Sequence, residues 1–306
     1  MTEKELYQIA NEFYHKEGAE LDAIANYKKL LESYPNNIDG WADLSTMQYS
    51  ICDYDASIRS SFKMIELDKT NSWNIKNFVT KLKLLQKLTF AEPDLYLEES
   101  TKEAFKISEL TGKSSLCDLI EKYTLKLIEL EPNNLKNNYR YHFSLATMLV
   151  KNNRFNNAIN HLNRAFELKE HKVGRIDDTA NIYNWISTAY VGLRNFPKAI
   201  EYIDLAFASG LDEFQMLKKA DIYIEKGDEA QYKRTIEDFI KIAEEKMSTK
   251  PKTAYVNQKI TALLKLKQYS RAENALQDFE IFKPYNDYIK QNIQRLKKQI
   301  EEEKNR

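Results

Sequence analysis

The residues RFNNAINHLNRAFELK at 154–169 are nearly restated at 195–210 as NFPKAIEYIDLAFASG. Each copy carries an aromatic residue, then Ala-Ile, then apolar residues three to four apart, the spacing of one buried helix face. Upstream of each lies a second amphipathic stretch, around YHFSLATMLV and IYNWISTAY. The repeating unit is therefore two helices and a short turn, recurring about every 34 to 41 residues. This periodicity constrains the fold more than any single motif, because a unit too small to bury its own apolar face must stack on copies of itself. Composition agrees. With 7 glycines and 6 prolines in 306 residues, turn formers are too few for a many-stranded β fold or a glycine-lined phosphate site.

Aligned on that unit, the chain yields seven copies. Tyr7, Ala10, Asn11 and Tyr14 occupy the first helix of the first, followed by Ala23, Tyr27, Leu30 and Pro35. The second holds Trp41, Leu44 and Ser45, then Ser57, Ser61 and Met64. The third holds Ala104, Ile107, Ser108 and Thr111, then Ile120, Thr124, Leu127 and Pro132. His142, Leu145, Ala146 and Leu149 with Ala158, Leu162 and Ala165 make the fourth. Tyr183, Ile186, Ser187 and Tyr190 with Ala199, Ile203 and Ala206 make the fifth. Met216, Ala220, Tyr223 and Ile236 mark a sixth, and Val256, Leu263, Ala272, Leu276, Phe279 and Pro284 a seventh. Small residues fall where helices cross and large ones fill the gaps between them. The pattern resembles the tetratricopeptide repeat, although no slot holds that family's glycine. The resemblance implies an all-α, right-handed α-solenoid of about seven helix-turn-helix repeats, with the first helix of each lining a concave groove.

Two segments stand outside the pattern. Residues 70–100 open with SWNIKNFVTKLKLLQKL, a helix with Phe78, Leu82 and Leu85 on one face, and Pro93 can begin the helix that follows. We read 70–100 as an irregular helical insertion between two repeats (1–69) and five more (101–284); a joint between two arrays is the alternative. The last segment, 285–306, places Ile289, Ile293, Leu296 and Ile300 on one stripe of a charged helix. That suits the polar-backed cap an array needs for solubility.

Lysine plus arginine and aspartate plus glutamate both number 46, so no net charge draws the chain to nucleic acid. The start is charged from its third residue without an apolar h-region, and no apolar run reaches the ~18 residues that span a bilayer. A cytoplasmic protein with no membrane partner is expected. Cys52 and Cys117 match no metal or redox spacing and read as half-buried thiols on helices. His15, His142, His161 and His171 lack the spacing of a helical zinc hydrolase, and there is no GxSxG, Walker or GxGxxG motif. Neither catalysis nor a metal or cofactor is expected. Charge is nonetheless uneven: 132–166 has no acid beside Lys136, Arg140, Lys151, Arg154 and Arg164, and 69–91 none beside its five lysines. Such stretches suit an acidic peptide or RNA, though RNA recognition usually adds arginine-rich stretches and stacking aromatics.

The resemblance also allows a test of the family's two-carboxylate clamp for chaperone tails, which takes lysine and asparagine on one first helix and asparagine on the next. Here Gln8, Glu12 and Asp43 fill those slots, and acids repel a carboxylate. Later registers place Phe105 and Glu109, Phe143 and Thr147, or Asn184 and Thr188 there. Chaperone-tail binding is disfavoured. The inward positions the resemblance implies further along are Arg140, Phe143 and Thr147, then Asn181, Asn184, Trp185 and Thr188, then Phe214 and Lys218 with Asp221, then Asn257 and Gln258 with Thr261. An amide offers both donors and acceptors, so asparagines pair with an extended peptide's backbone whatever its sequence. Phe143, Trp185 and Phe214 add apolar pockets for alternate side chains. The expected function is a non-catalytic scaffold or adaptor that holds a segment of a partner protein. A peptide-sensing regulator and a polyanion or RNA binder are the alternatives.

Overall fold

The computed structural model describes residues 1–88, 113–171, 178–248, 252–281 and 287–305. Among them there are helices and no strands. The chain divides into two compact units, Met1–Arg175 and Ile176–Arg306.

The first unit contains α1 (Glu3–Tyr14), α2 (Glu20–Ser33), α3 (Ile38–Ser50), α4 (Tyr54–Leu67), α5 (Ser72–Leu88), α6 (Lys113–Leu130), α7 (Leu135–Lys151) and α8 (Phe155–Glu167). The second contains α9 (Thr179–Gly192), α10 (Phe196–Ala208), α11 (Met216–Lys226), α12 (Glu229–Lys246), α13 (Thr253–Lys265), α14 (Tyr269–Ile281) and α15 (Asp287–Lys304). Within each unit every helix packs against the helices before and after it in the chain, the layout of an all-α solenoid.

Local chemistry sets the boundaries. Thr2 and Glu5 close a capping box at the start of α1, each side chain accepting from the other's backbone N–H. Asn37, Asp53, Asn134, Asn195 and Asp228 each cap a helix start through a side-chain oxygen. The turns inside the pairs share one form. Gly18, Cys52, Asn153, Arg194, Gly227 and Lys267 all have positive φ, between 56° and 85°, and each lies two residues before the second helix of its pair. The recurrence of one backbone geometry at one register marks these turns as copies. Cys52 therefore sits exposed in a turn and not on a helix face, whereas Cys117 is buried, which pushes its thiol up to about 11.

Small residues bring the paired helices together. Ala158 and Ala165 on α8, and Ala199 and Ala206 on α10, are completely buried. In the second and fifth repeats serine fills the slot where the family has glycine, and its hydroxyl is satisfied across the crossing. Ser45 donates to the Ser57 carbonyl (2.8 Å) and Ser57 returns the bond to Ser45 (2.7 Å). Ser187 likewise donates to the Ala199 carbonyl (2.7 Å). A buried hydroxyl so bonded escapes the cost of an unpaired polar group.

Helix α5, which the repeat pattern leaves unpaired, packs against α4 and α6, with the Phe78 ring between Phe62 (centroids 5.5 Å) and Tyr123 (5.0 Å). The sequence-assigned slots at 104–111, Pro93 and Pro284 lie outside the described residues, as do the side chains of Leu85 and Ile289. On α15, Leu296 and Ile300 are buried in the core that also holds Ile260, Leu263 and Leu276, with Ile293 beside them.

Candidate functional site

In the second unit, α9 presents Asn181, Asn184, Trp185 and Thr188 at the spacing of one helix face, Asn181 exposed and the other three half-buried. Lys218 of α11 reaches this row. Its Nζ donates to the Asn184 carbonyl (3.0 Å), to the Asn184 side-chain oxygen and to Thr188 Oγ1 (2.6 Å). Among the described residues no carboxylate lies within ion-pair distance of it. Asp221, one turn further along α11, pairs instead with Lys265 (2.6 Å). Burial pushes the Lys218 ammonium down to about 8, since desolvation disfavours a charge that only neutral oxygens surround.

The neighbouring positions are partly engaged. Asn257 accepts a hydrogen bond at Oδ1 from Asn292 of α15 (2.7 Å), and Arg295 donates to Asn292 (3.0 Å). Gln258 is half-buried beside it. Phe214 lies in a short 3-10 turn, Glu213–Gln215, with its ring against Tyr255 (4.7 Å) and Phe239 (6.2 Å), so it borders the core.

The first unit places Arg140 exposed on α7, stacks Phe143 on Tyr139 (6.0 Å, planes 10° apart) and bonds Thr147 to the Ser144 carbonyl. The two acid-free stretches touch, because Lys83 donates to Ser144 (3.0 Å). Their charge is smaller than the sequence suggests. Arg154 pairs with Asp118 and with Glu121 (3.2 Å), and Arg164 with Glu167, all acids outside the stretch. Sequence reasoning also missed a direct contact between His142 and His161 on facing helices. Among the described residues no three His, Cys, Asp or Glu side chains gather as a metal site would require.

Residues 139–172 match the tetratricopeptide repeat family. No curated protein matches the chain. Several solved structures are similar to it. A tetratricopeptide repeat protein from Parabacteroides merdae ATCC 43184 is 14% identical over 96% of this chain and 98% of its own, with a TM-score of 0.48. The MamA protein is 18% identical over 71% of this chain and 94% of its own, with a TM-score of 0.44. PilF of Pseudomonas aeruginosa is 12% identical over 78% and 91%, with a TM-score of 0.41. Residues 139–172 match one tetratricopeptide repeat, and helix pairs of the same turn geometry recur in both units, so the chain resembles the tetratricopeptide-repeat proteins.

Proposed function

We propose that the chain is a non-catalytic scaffold whose second unit seats an extended segment of a partner protein on α9, α11 and α13. Repeats of this family are in general protein-interaction scaffolds without catalytic activity. The observation that carries the finer reading is the Lys218 ammonium, half-buried, facing Asn184 and Thr188, and without a carboxylate among the described residues. A partner's carboxylate supplies the missing counter-charge on binding, and a hydrogen bond to a charged group is worth about 1.5–3 kcal/mol. Trp185 beside it offers an apolar wall, and Asn181 and Gln258 offer further amides to peptide backbone. The face exists before binding, so little ordering cost falls on this chain.

The test is selection of peptides from a random display library on the immobilised full-length chain, followed by affinity measurement of the selected peptides. Lys218→Met and Trp185→Ala should each weaken them tenfold or more. The contrasting variant reverses the exposed Lys136 and Lys151 to Glu and should change little. Arg154 is unsuitable for reversal because it is already paired with Asp118 and Glu121. If the lysine reversal abolishes binding while Lys218→Met does nothing, the basic stretches bind the partner and the α9–α11 face does not.

A further inference from the structure

The N-terminal helices hold the inverse of the Lys218 arrangement, a carboxylate surrounded by neutral donors. Asp43 of α3 accepts two hydrogen bonds at the same oxygen, Oδ2, from Tyr7 of α1 (2.6 Å) and Tyr27 of α2 (3.0 Å). Tyr27 is completely buried and forms the floor, while Tyr7, Tyr14 and Asp43 are half-buried. The rings of Tyr7 and Tyr14 stand edge-on to Tyr27, with centroids 6.0 and 6.4 Å away and planes 67° and 88° apart. Burial raises all three phenols, and the Asp43 charge adds to each, so they remain protonated donors. Among the described residues no lysine, arginine or histidine lies within ion-pair distance of Asp43. The charge of Asp39, one turn earlier on α3 and exposed, also reaches Tyr7.

Two physical terms then favour the same ligand. A partly desolvated carboxylate without a cation attracts one more strongly than a carboxylate in bulk water. Tyrosine ring faces carry negative charge density and attract cations as well. We propose that Tyr7, Tyr14 and Asp43 receive a cationic side chain, lysine or arginine, from the bound partner. The cationic head pairs with Asp43 and the methylene stem lies against the rings. This rests on the reading of the chain as a peptide-binding scaffold and adds to it a preference in partner sequence. It also gives Asp43, one of the acids that argue against a carboxylate-binding tail, a positive role.

The probe is N-acetylarginine amide, with N-acetylcitrulline amide as its uncharged counterpart of the same shape. The full-length chain is labelled with 3-fluorotyrosine, and Tyr7→Phe and Tyr14→Phe spectra assign two of the fluorine resonances. Both resonances should move with the arginine probe and stay in place with citrulline. Asp43→Asn should weaken the arginine response at least fivefold. Asp39→Asn, at an exposed site, should weaken it about twofold at low salt and stands in if Asp43→Asn fails to fold. Equal responses to the two probes, no response, or a response that neither variant changes would mean that Asp43 only ties α1 and α2 to α3. Lys218→Met and Trp185→Ala should leave these resonances untouched. Failure of those variants to affect partner binding bears on the α9–α11 face alone.

Discussion

His142 and His161 meet Nδ1 to Nδ1 at 2.8 Å between α7 and α8, so at neutral pH one ring donates and the other accepts. Burial lowers both rings, His142 to about 4, with the charges of His161 and Arg164 adding to its burial. Glu167 opposes the shift at His142 and Glu121 of α6 opposes it at His161. A histidine in the unfolded chain titrates near 6.5 and so binds this proton more tightly than the folded chain does. The contribution to stability is full above about pH 6.5 and is lost as the pH falls toward about 4, by about 2–3 kcal/mol. Melting temperatures of the wild type and His142→Leu, measured from pH 7 to 4, check this. The variant should lose less on acidification; parallel curves would show that the pair titrates alike in both states.

The shared turn geometry yields a second expectation. Lys267 is exposed with φ of 57°, a region where a β-carbon costs about 1–2 kcal/mol and glycine costs nothing sterically. Glycine loses more chain entropy on folding, which offsets part of that gain. Lys267→Gly should stabilise by about 0.5–1 kcal/mol. A urea midpoint that falls instead would place the cost of this turn elsewhere.

Overpacking tests the crossing of α9 and α10. Ala199 is completely buried, and its carbonyl accepts the Ser187 hydroxyl at 2.7 Å, so a larger side chain must displace the facing helix. Ala199→Leu should cost about 1–3 kcal/mol. A chemical melt indistinguishable from wild type would mean that the helices cross at another residue.

Much of this architecture was legible because the packing slots repeat. Alanine at 158, 165, 199 and 206 states where helices meet, and all four are buried where the pattern puts them. The turns were less legible. The positive-φ positions are held by Cys52, Asn153, Arg194 and Lys267, and only asparagine among these advertises such a backbone. Cys52, which sits in an apolar-periodic stretch, therefore reads from sequence as a helix residue. The candidate site was half legible. Asn184, Thr188 and Lys218 follow from face position, but the bond from Lys218 to Asn184 spans 34 residues and depends on how α11 lies against α9. Spacing along one helix carries no such information. The same holds for Asp43, which on its own reads as a repelling charge and acquires Tyr7 only through the approach of α1 to α3.

Lys218 separates a binding role from a structural one. Its ammonium titrates near 8 in the fold against 10.5 for an ordinary lysine, so the fold binds this proton less tightly than the unfolded chain does. The resulting stability is present above about pH 10.5 and is lost as the pH falls to about 8; at neutral pH the chain carries the full cost of the buried charge. Methionine keeps much of the apolar stem and removes the charge. Lys218→Met should therefore melt at the same temperature or higher at pH 7, by up to about 1–2 kcal/mol, while losing the partner. Between pH 8 and 10.5 the wild type should gain stability relative to the variant and close the gap. A residue kept for folding behaves in the opposite way. If Lys218→Met melts lower at pH 7, the bonds to Asn184 and Thr188 outweigh the burial, and the lysine holds α11 to α9 rather than waiting for a partner's charge.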